Sequence, residues 1–287
     1  MISYTEIRQV AARLGVDPGV VEHDYVLGCF LHFLALEERV REAWAFKGGT
    51  CLSKCHFSEY RFSEDLDFTA LRPVTEKSLK EIVQTAGNTM QREIGIRTDL
   101  KEAAVETIVD EYGKESFEAK GYYRGPSEMA GSPRSLRVHI NRDETLVFPT
   151  TLKPVQHNYS DKSDLPAVTL PAYSLEEVFV EKLRAISGQR RFAIARDLFD
   201  LLYLSHVGAN VEAAIRAFPE KCAIKGITAK AIDLTRIESR KEQYEKNWDN
   251  NLEYLIPQQL KTDFEEAWVF SIHSLRRALL VLNKITA

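Results

Sequence analysis

Asp65 and Asp67 stand two residues apart at the end of the stretch FKGGTCLSKCHFSEYRFSEDLDF, residues 46–68. In an extended chain, residues i and i+2 project to the same side, so the two carboxylates would lie a few ångströms apart. Like charges held that close call for a cation or a shared proton between them. A hard divalent cation, Mg2+ or Mn2+, suits such oxygen ligands and keeps coordination positions open for substrate phosphates. The same stretch carries Gly48 and Gly49 ahead of Thr50. A glycine turn lets backbone N–H groups approach a phosphate, and a helix from Thr50 would offer its positive N-terminal end. Either signal alone is weak, since Asp-x-Asp is often a solvated strand face and Gly-Gly is usually a turn. The order apolar strand, Gly-Gly, helix, Arg-x-Ser-x-Asp-x-Asp is far more specific and predicts metal and triphosphate sharing one cleft.

Other residues could join that chemistry. Lys182 borders the apolar stripe of Phe179, Leu183 and Ile186, so its stem can pack while its ammonium reaches a cleft and neutralises phosphate charge. A lysine on the wet side of a helix is the plainer alternative. Asp197 and Asp200 are three apart in an apolar helix, where a carboxylate needs a partner or a task. For Asp197, an ion pair with Arg196 or Arg184 is as good a reading as catalysis. In SLRVHIN, Leu136, Val138 and Ile140 alternate with Arg137, His139 and Asn141, which predicts a strand with His139 on its polar face. His139 could take a proton near neutral pH, as could Asp143, Glu144 or Asp200. A satisfied strand histidine is the simpler assignment. Cys51 and Cys55 flank a C-x3-C spacing beside His56, but no second ligand pair at zinc-like spacing follows. The four cysteines, with Cys29 and Cys222, therefore read as reduced thiols.

These groups need a scaffold, and 287 residues with 44% hydrophobic content can build a real core. The net charge of −4 argues against a chain coated in positive potential, so any nucleic-acid surface would be local. With no run of about 18 apolar residues and no apolar leader at the N-terminus, the expectation is a cytoplasmic protein without a membrane partner. Helices are predicted over 4–14 and 20–36. AWAFKGG is a short strand ending in a turn, TCLSKCHF is helical, and EDLDFTAL is a strand with Leu66 and Phe68 on the core face and Asp65, Asp67 and Thr69 opposite. Residues 75–109 read as helical and 121–135 as a loop or irregular hairpin. A Ser174-to-Glu177 capping box opens a helix ending near Gly188. The next helix, about 192–206, is apolar nearly all round and should be buried. Beyond Gly208 the chain is helical, with Trp268, Ile272, Leu275, Leu279 and Leu282 in a stripe. Character changes from mixed α/β to all-α near residue 170, which suggests domains 1–170 and 171–287.

VEHDYVL (21–27), FKGGTCLSK (46–54), RFSEDLDF (61–68) and SLEEVFVEKLRAI…RRFAIARDLFDLLYL (174–204), in that order, resemble the AbiEii/AbiGii nucleotidyltransferase toxin family. The resemblance implies an α+β fold: a polymerase-β-like nucleotidyltransferase core with a small mixed sheet, and a helical C-terminal portion that completes the active site. It implies transfer of NMP from an NTP, with Gly48, Gly49 and Ser63 on the phosphates and Asp65 and Asp67 on the metal. Thr50, Lys54 and Arg61 belong to the same nucleotide-binding motifs, and Lys182 and Asp200 take further active-site roles. It also implies a toxin of a toxin–antitoxin or abortive-infection pair, a separately encoded antitoxin, and tRNA as acceptor. Arg184, Arg190, Arg191 and Arg196, with Arg134, Arg137 and Arg142, could supply a basic surface for RNA. One departure stands out: the expected third carboxylate is absent from SLRVHIN. That keeps open nucleotidylation of a small-molecule or protein hydroxyl, and a fold that only binds NTP.

Overall fold

The computed structural model describes residues 1–98, 100–109, 113–127, 132–189 and 192–286. The chain divides into two compact units: Met1–Glu144 with Thr150–Ala172 and Pro257–Gln259, and Tyr173–Ile256 with Thr145–Pro149 and Leu260–Ala287.

The first unit begins with α1 (Tyr4–Leu14), capped by the Ser3 side chain and ended by Gly15 in the left-handed region. α2 (Pro18–Leu34) starts with proline in its first turn and is buried over most of its circumference, Glu22 and Asp24 included. After α3 (Glu38–Ala43) come β1 (Trp44–Lys47), α4 (Gly48–Cys51) and a π turn over Leu52–His56. Then follow β2 (Leu66–Ala70), α5 (Glu76–Ile94), β3 (Ala104–Val109), β4 (Glu115–Tyr123), β5 (Arg134–Asn141), β6 (Thr151–Pro154) and β7 (Thr169–Ala172). Among the described residues these strands form one mixed sheet in the order β3-β4-β5-β2-β1-β7-β6. β2 runs parallel to β5 and β1 to β7, while the remaining pairs are antiparallel. The sheet's centre is dry: Phe46, Leu66, Phe68, Val138 and Ile140 are all buried, and the Phe46 and Phe68 rings lie 4.9 Å apart. Burying such side chains contributes roughly 1.5–3 kcal/mol each.

One expectation needs correction here. Residues 75–109 are not one helix, because Gly95 adopts φ 79° and closes α5. The β-branched run after it instead pairs with β4. Over 121–135 the irregular-hairpin alternative is the one found: Gly121–Tyr123 continues β4 and pairs with Arg134–Leu136.

The second unit is helical: α6 (Leu175–Arg184), α7 (Arg196–His206), α8 (Val211–Ala223), α9 (Leu234–Glu238), α10 (Lys241–Asn251) and α11 (Phe264–Thr286). The stripe Trp268, Ile272, Leu275, Leu279 and Leu282 is buried along α11. Ser174 caps α6 by accepting the Glu177 N–H at 3.2 Å. The Glu177 carboxylate is spent elsewhere than on a capping box: it accepts the Val147 and Phe148 N–H groups and pairs at 2.7 Å with the fully buried Lys221 ammonium. α7 begins only at Arg196, and Phe192, expected inside a buried helix, is 69% exposed.

Candidate active site

In the first unit, β1 delivers the chain into the glycine turn directly beside β2. Lys47 is the cross-strand partner of Asp67. Gly48 has φ 78°, and a Cβ there would sit 2.6 Å from Asp67 Oδ2. Glycine is therefore required twice over, by backbone conformation and by the approach of the carboxylate. A Cβ on Gly49 would sit 2.6 Å from Arg61 Nη2, so the Arg61 guanidinium packs against the turn's other glycine. Thr50 Oγ1 donates to the Asp65 carbonyl at 2.5 Å, and His23 Nε2 donates to the Glu64 carbonyl at 2.8 Å. The backbone leading into Asp67 is thus held at two successive carbonyls.

VEHDYVL proves to be an anchoring strip. Glu22 accepts from Ser127 N–H and Oγ, and His23 bonds Tyr123 Oη as well as the Glu64 carbonyl. Asp24 accepts from Lys54 Nζ at 2.7 Å and Tyr159 Oη at 2.8 Å, and Tyr25 Oη donates to Asp161 at 2.6 Å. Lys54 and Arg61 are both buried, as are Thr50 and Ser63.

β5 sets a cation beside each carboxylate of β2. Arg137 Nη1 is 3.8 Å from Asp65 Oδ1, and His139 Nδ1 is 3.5 Å from Asp67 Oδ1. His139 is the register partner of Asp67 on one side and of Glu118 on the other, so Asp67, His139 and Glu118 form a row across β2, β5 and β4. His139 Nε2 donates to Glu118 Oε2, whose other oxygen is 2.7 Å from Lys120 Nζ. Burial opposes charge on His139, but hydrogen bonding to Asp67, the Asp67 charge and Glu118 outweigh it and push its pKa up to about 9. Both ring nitrogens are engaged, as expected of a satisfied strand histidine. Glu118 is the carboxylate that sequence reasoning missed. It lies on the strand next to the expected one, and only pairing brings it in.

Among the described residues no three or more His, Cys, Asp or Glu side chains gather closely enough to hold a metal ion. The protein's own donor set at the turn is two hard carboxylates, with Gly48 leaving Asp67 Oδ2 room against the backbone. That set suits Mg2+ or Mn2+ whose remaining positions are filled by phosphate oxygens and water. Cys29, Cys51, Cys55 and Cys222 are all buried and none forms a disulfide.

The second unit gathers a different constellation. Lys182 Nζ is 2.7 Å from Asp197 Oδ1 and 3.0 Å from Asp200 Oδ2, with both aspartates buried. Lys182 is thus a close charge partner of Asp197. Lys182 itself is largely enclosed rather than on the wet side of α6, its side chain 13% exposed. Arg184 is buried and donates to the Lys221 carbonyl, which removes it from any RNA-facing surface. In the first unit Arg134 and Arg142 pair with Glu22 and Glu115, and Asp143 Oδ2 accepts the Glu115 N–H. Arg190 and Arg191 lie outside the described residues.

A strand–Gly-Gly–helix followed by Asp-x-Asp on the neighbouring strand of a mixed sheet defines a nucleotidyltransferase fold. The family model described as nucleotidyl transferase AbiEii toxin, type IV toxin–antitoxin system, matches residues 33–269, and the chain belongs to that family. Its fold is similar to that of MenT4, a nucleotidyltransferase toxin from Mycobacterium tuberculosis H37Rv, at 20% identity and TM-score 0.56, over 98% of this chain and 99% of that one. It is also similar to JHP933 from Helicobacter pylori, at 17% identity and TM-score 0.52, over 94% and 96%. No match was found among curated proteins. Membership makes the chain a nucleotidyltransferase toxin with NTP as substrate and an antitoxin as partner. Among the described residues no helix is long and apolar enough to cross a membrane.

Proposed function

We propose that the protein transfers NMP from an NTP to an acceptor hydroxyl, with tRNA as the acceptor, and that its separately encoded antitoxin blocks this reaction. The observation that carries the reading is the abutment of Asp67 on Gly48, which sets the carboxylate pair against a turn built for phosphates. The acceptor oxygen attacks the α-phosphorus, a new P–O bond forms as the α–β bridging P–O bond breaks, and pyrophosphate leaves with the bridging oxygen. The acceptor's proton is lost to solvent or to a general base.

Gly48, Gly49 and Ser63 hold the phosphates, while Thr50 and His23 fix the backbone that aims Asp65 and Asp67. A divalent cation held by those two carboxylates would neutralise charge on the transferring phosphoryl group. In the protein alone Arg137 and His139 lie against the two carboxylates instead.

The test is incubation with each α-labelled NTP and total RNA, following label transfer and pyrophosphate release. Transfer to purified tRNA should fall at least about tenfold between 50 and 200 mM salt if several phosphates are bound. Arg190→Glu with Arg191→Glu should lower it further. A flat salt response in both proteins would move the acceptor to a small-molecule or protein hydroxyl. The ion pairing of Arg134, Arg137 and Arg142 and the burial of Arg184 favour that second reading. Absence of pyrophosphate release with every NTP would reject transfer altogether.

A further inference from the structure

Behind the glycine turn, wholly within the first unit, lies an open cleft of about 590 Å³. That volume falls in the range of roughly 300–1,000 Å³ typical of small-molecule sites. Its walls include Tyr60, Tyr159 and Gln259, and Lys54, Asp24 and Arg61 also line it. These last three are charged yet at least nine-tenths buried. Lys54 and Asp24 form an ion pair at 2.7 Å, also hydrogen-bonded by Tyr159. A buried ion pair stabilises a fold no better than well-packed apolar side chains would. Kept at the wall of an open cleft, it points to a polar ligand. Arg61 faces two ways, against Gly49 on one side and into this cleft on the other.

The lining selects a chemical class. An acyl chain would have to cover a buried ion pair, and a bare anion would meet the Asp24 and Glu59 carboxylates. A flat heterocycle with apolar faces and a hydrogen-bonding edge fits both halves of the wall. The part-exposed Tyr159 ring offers an aromatic surface for a base, while the Tyr60 ring, with the Arg61 guanidinium 5.5 Å from its centroid, lies almost wholly buried in the wall. Lys54 and Asp24 offer a donor and an acceptor side by side, suited to a base edge or a ribose hydroxyl.

We infer that this cleft is a nucleoside pocket that places one nucleoside behind the phosphate-binding turn, with Arg61 as the shared wall. The inference rests on the phosphate reading of Gly48 and Gly49, and names the moiety recognised next to it. The nucleoside comes either from the donor NTP or from the terminal nucleotide of an acceptor RNA, and the two sources separate experimentally.

Val10 of α1 lines the cleft on a side remote in sequence from the glycine and aspartate motifs, and Val10→Trp should fill it. Gln259→Ala removes a polar wall group without adding bulk. Binding of α,β-methylene NTP analogues, of tripolyphosphate and of a short single-stranded RNA is measured by calorimetry for wild type and both variants, with melting checked in each. The four ribonucleosides are tested alone by saturation-transfer NMR. The expected result is at least tenfold weaker NTP-analogue binding in Val10→Trp, a smaller loss in the same direction in Gln259→Ala, and unchanged tripolyphosphate affinity. Loss of RNA affinity with NTP-analogue affinity intact would support the pocket and assign it to the acceptor. If Val10→Trp melts early, Gln259→Ala alone decides. Unchanged affinity for both NTP analogue and RNA overturns the pocket while leaving the phosphate reading intact. Nucleoside signals lost in the variants, in a protein that binds neither tripolyphosphate nor NTP analogue, would support the pocket and overturn the phosphate reading.

Discussion

Each unit holds a pair of aspartates neutralised by cations, and the two pairs are built in opposite ways. In the first unit Asp65 and Asp67 keep side-chain exposures of 22% and 34%, and each has its own cation at 3.5–3.8 Å. In the second, Asp197 and Asp200 are 1% and 0% exposed, and the Lys182 ammonium bridges them at 2.7 and 3.0 Å. The loose, wet pair has solvent access through which a bound cation could reach it. The tight, dry pair would lose a close charge partner with the lysine, in low dielectric where that loss is costly. Charged clusters of similar composition thus differ in what they can do, and solvent access decides it.

The largest expected effect is on activity. Asp67→Ala should abolish nucleotide transfer while the protein still folds, its melting midpoint lowered by the lost His139 contact. Transfer at the wild-type rate in that variant would remove Asp67 from the metal and phosphate site.

Lys182→Ala should do the reverse of leaving stability alone. Breaking a buried pair by removing one partner costs about 3–5 kcal/mol, so thermal or urea unfolding should shift by that order. The sequence reading of Lys182 as half in solvent leads to no such loss, and an unshifted midpoint would restore it. Activity per folded molecule should be measured alongside, because a part in substrate binding would lower it beyond the loss of folded protein.

Gly48→Ala probes the join between turn and carboxylate. Left-handed backbone strain costs of order 1–3 kcal/mol, and the new methyl must push Asp67 aside. Transfer should fall by more than the stability loss explains. A protein that is merely less stable, with intact specific activity, would show that the abutment is only packing.

The smallest effect is a pH dependence. His139 has its folded pKa raised to about 9 against an ordinary value near 6.5. Its contribution to stability is therefore complete below about pH 6.5 and lost as pH climbs through about 9. The metal-free protein should melt progressively lower across that window, and His139→Gln should flatten the trend. Equal slopes in the two proteins would show that the Asp67–His139–Glu118 row contributes nothing measurable.

Much of the first unit's centre was legible because its signals are local. Alternation in EDLDFTAL and SLRVHIN places Leu66, Phe68, Val138 and Ile140 inward, and period two survives any tertiary context that buries one face. That the Gly-Gly turn and the Asp-x-Asp segment lie together was legible through their order and spacing. The helical stripe along α11 was equally plain. Illegible were the features set by partners distant in sequence. The run after Gly95 became strand because β4 was there to pair with it, and Glu118 met His139 through strand order rather than spacing. Lys182 closed on Asp197 and Asp200 because α6 packs on α7, bringing residues 15 apart in the chain to within hydrogen-bonding distance. Local sequence determined which residues could carry charge, bind phosphate or enter a core, since side-chain chemistry and backbone period belong to the residue and its neighbours. Tertiary structure alone decided which charges are buried, which cation answers each carboxylate, and that Lys54, Asp24 and Arg61 come together at one cleft, because desolvation and pairing depend on what the fold brings from elsewhere in the chain.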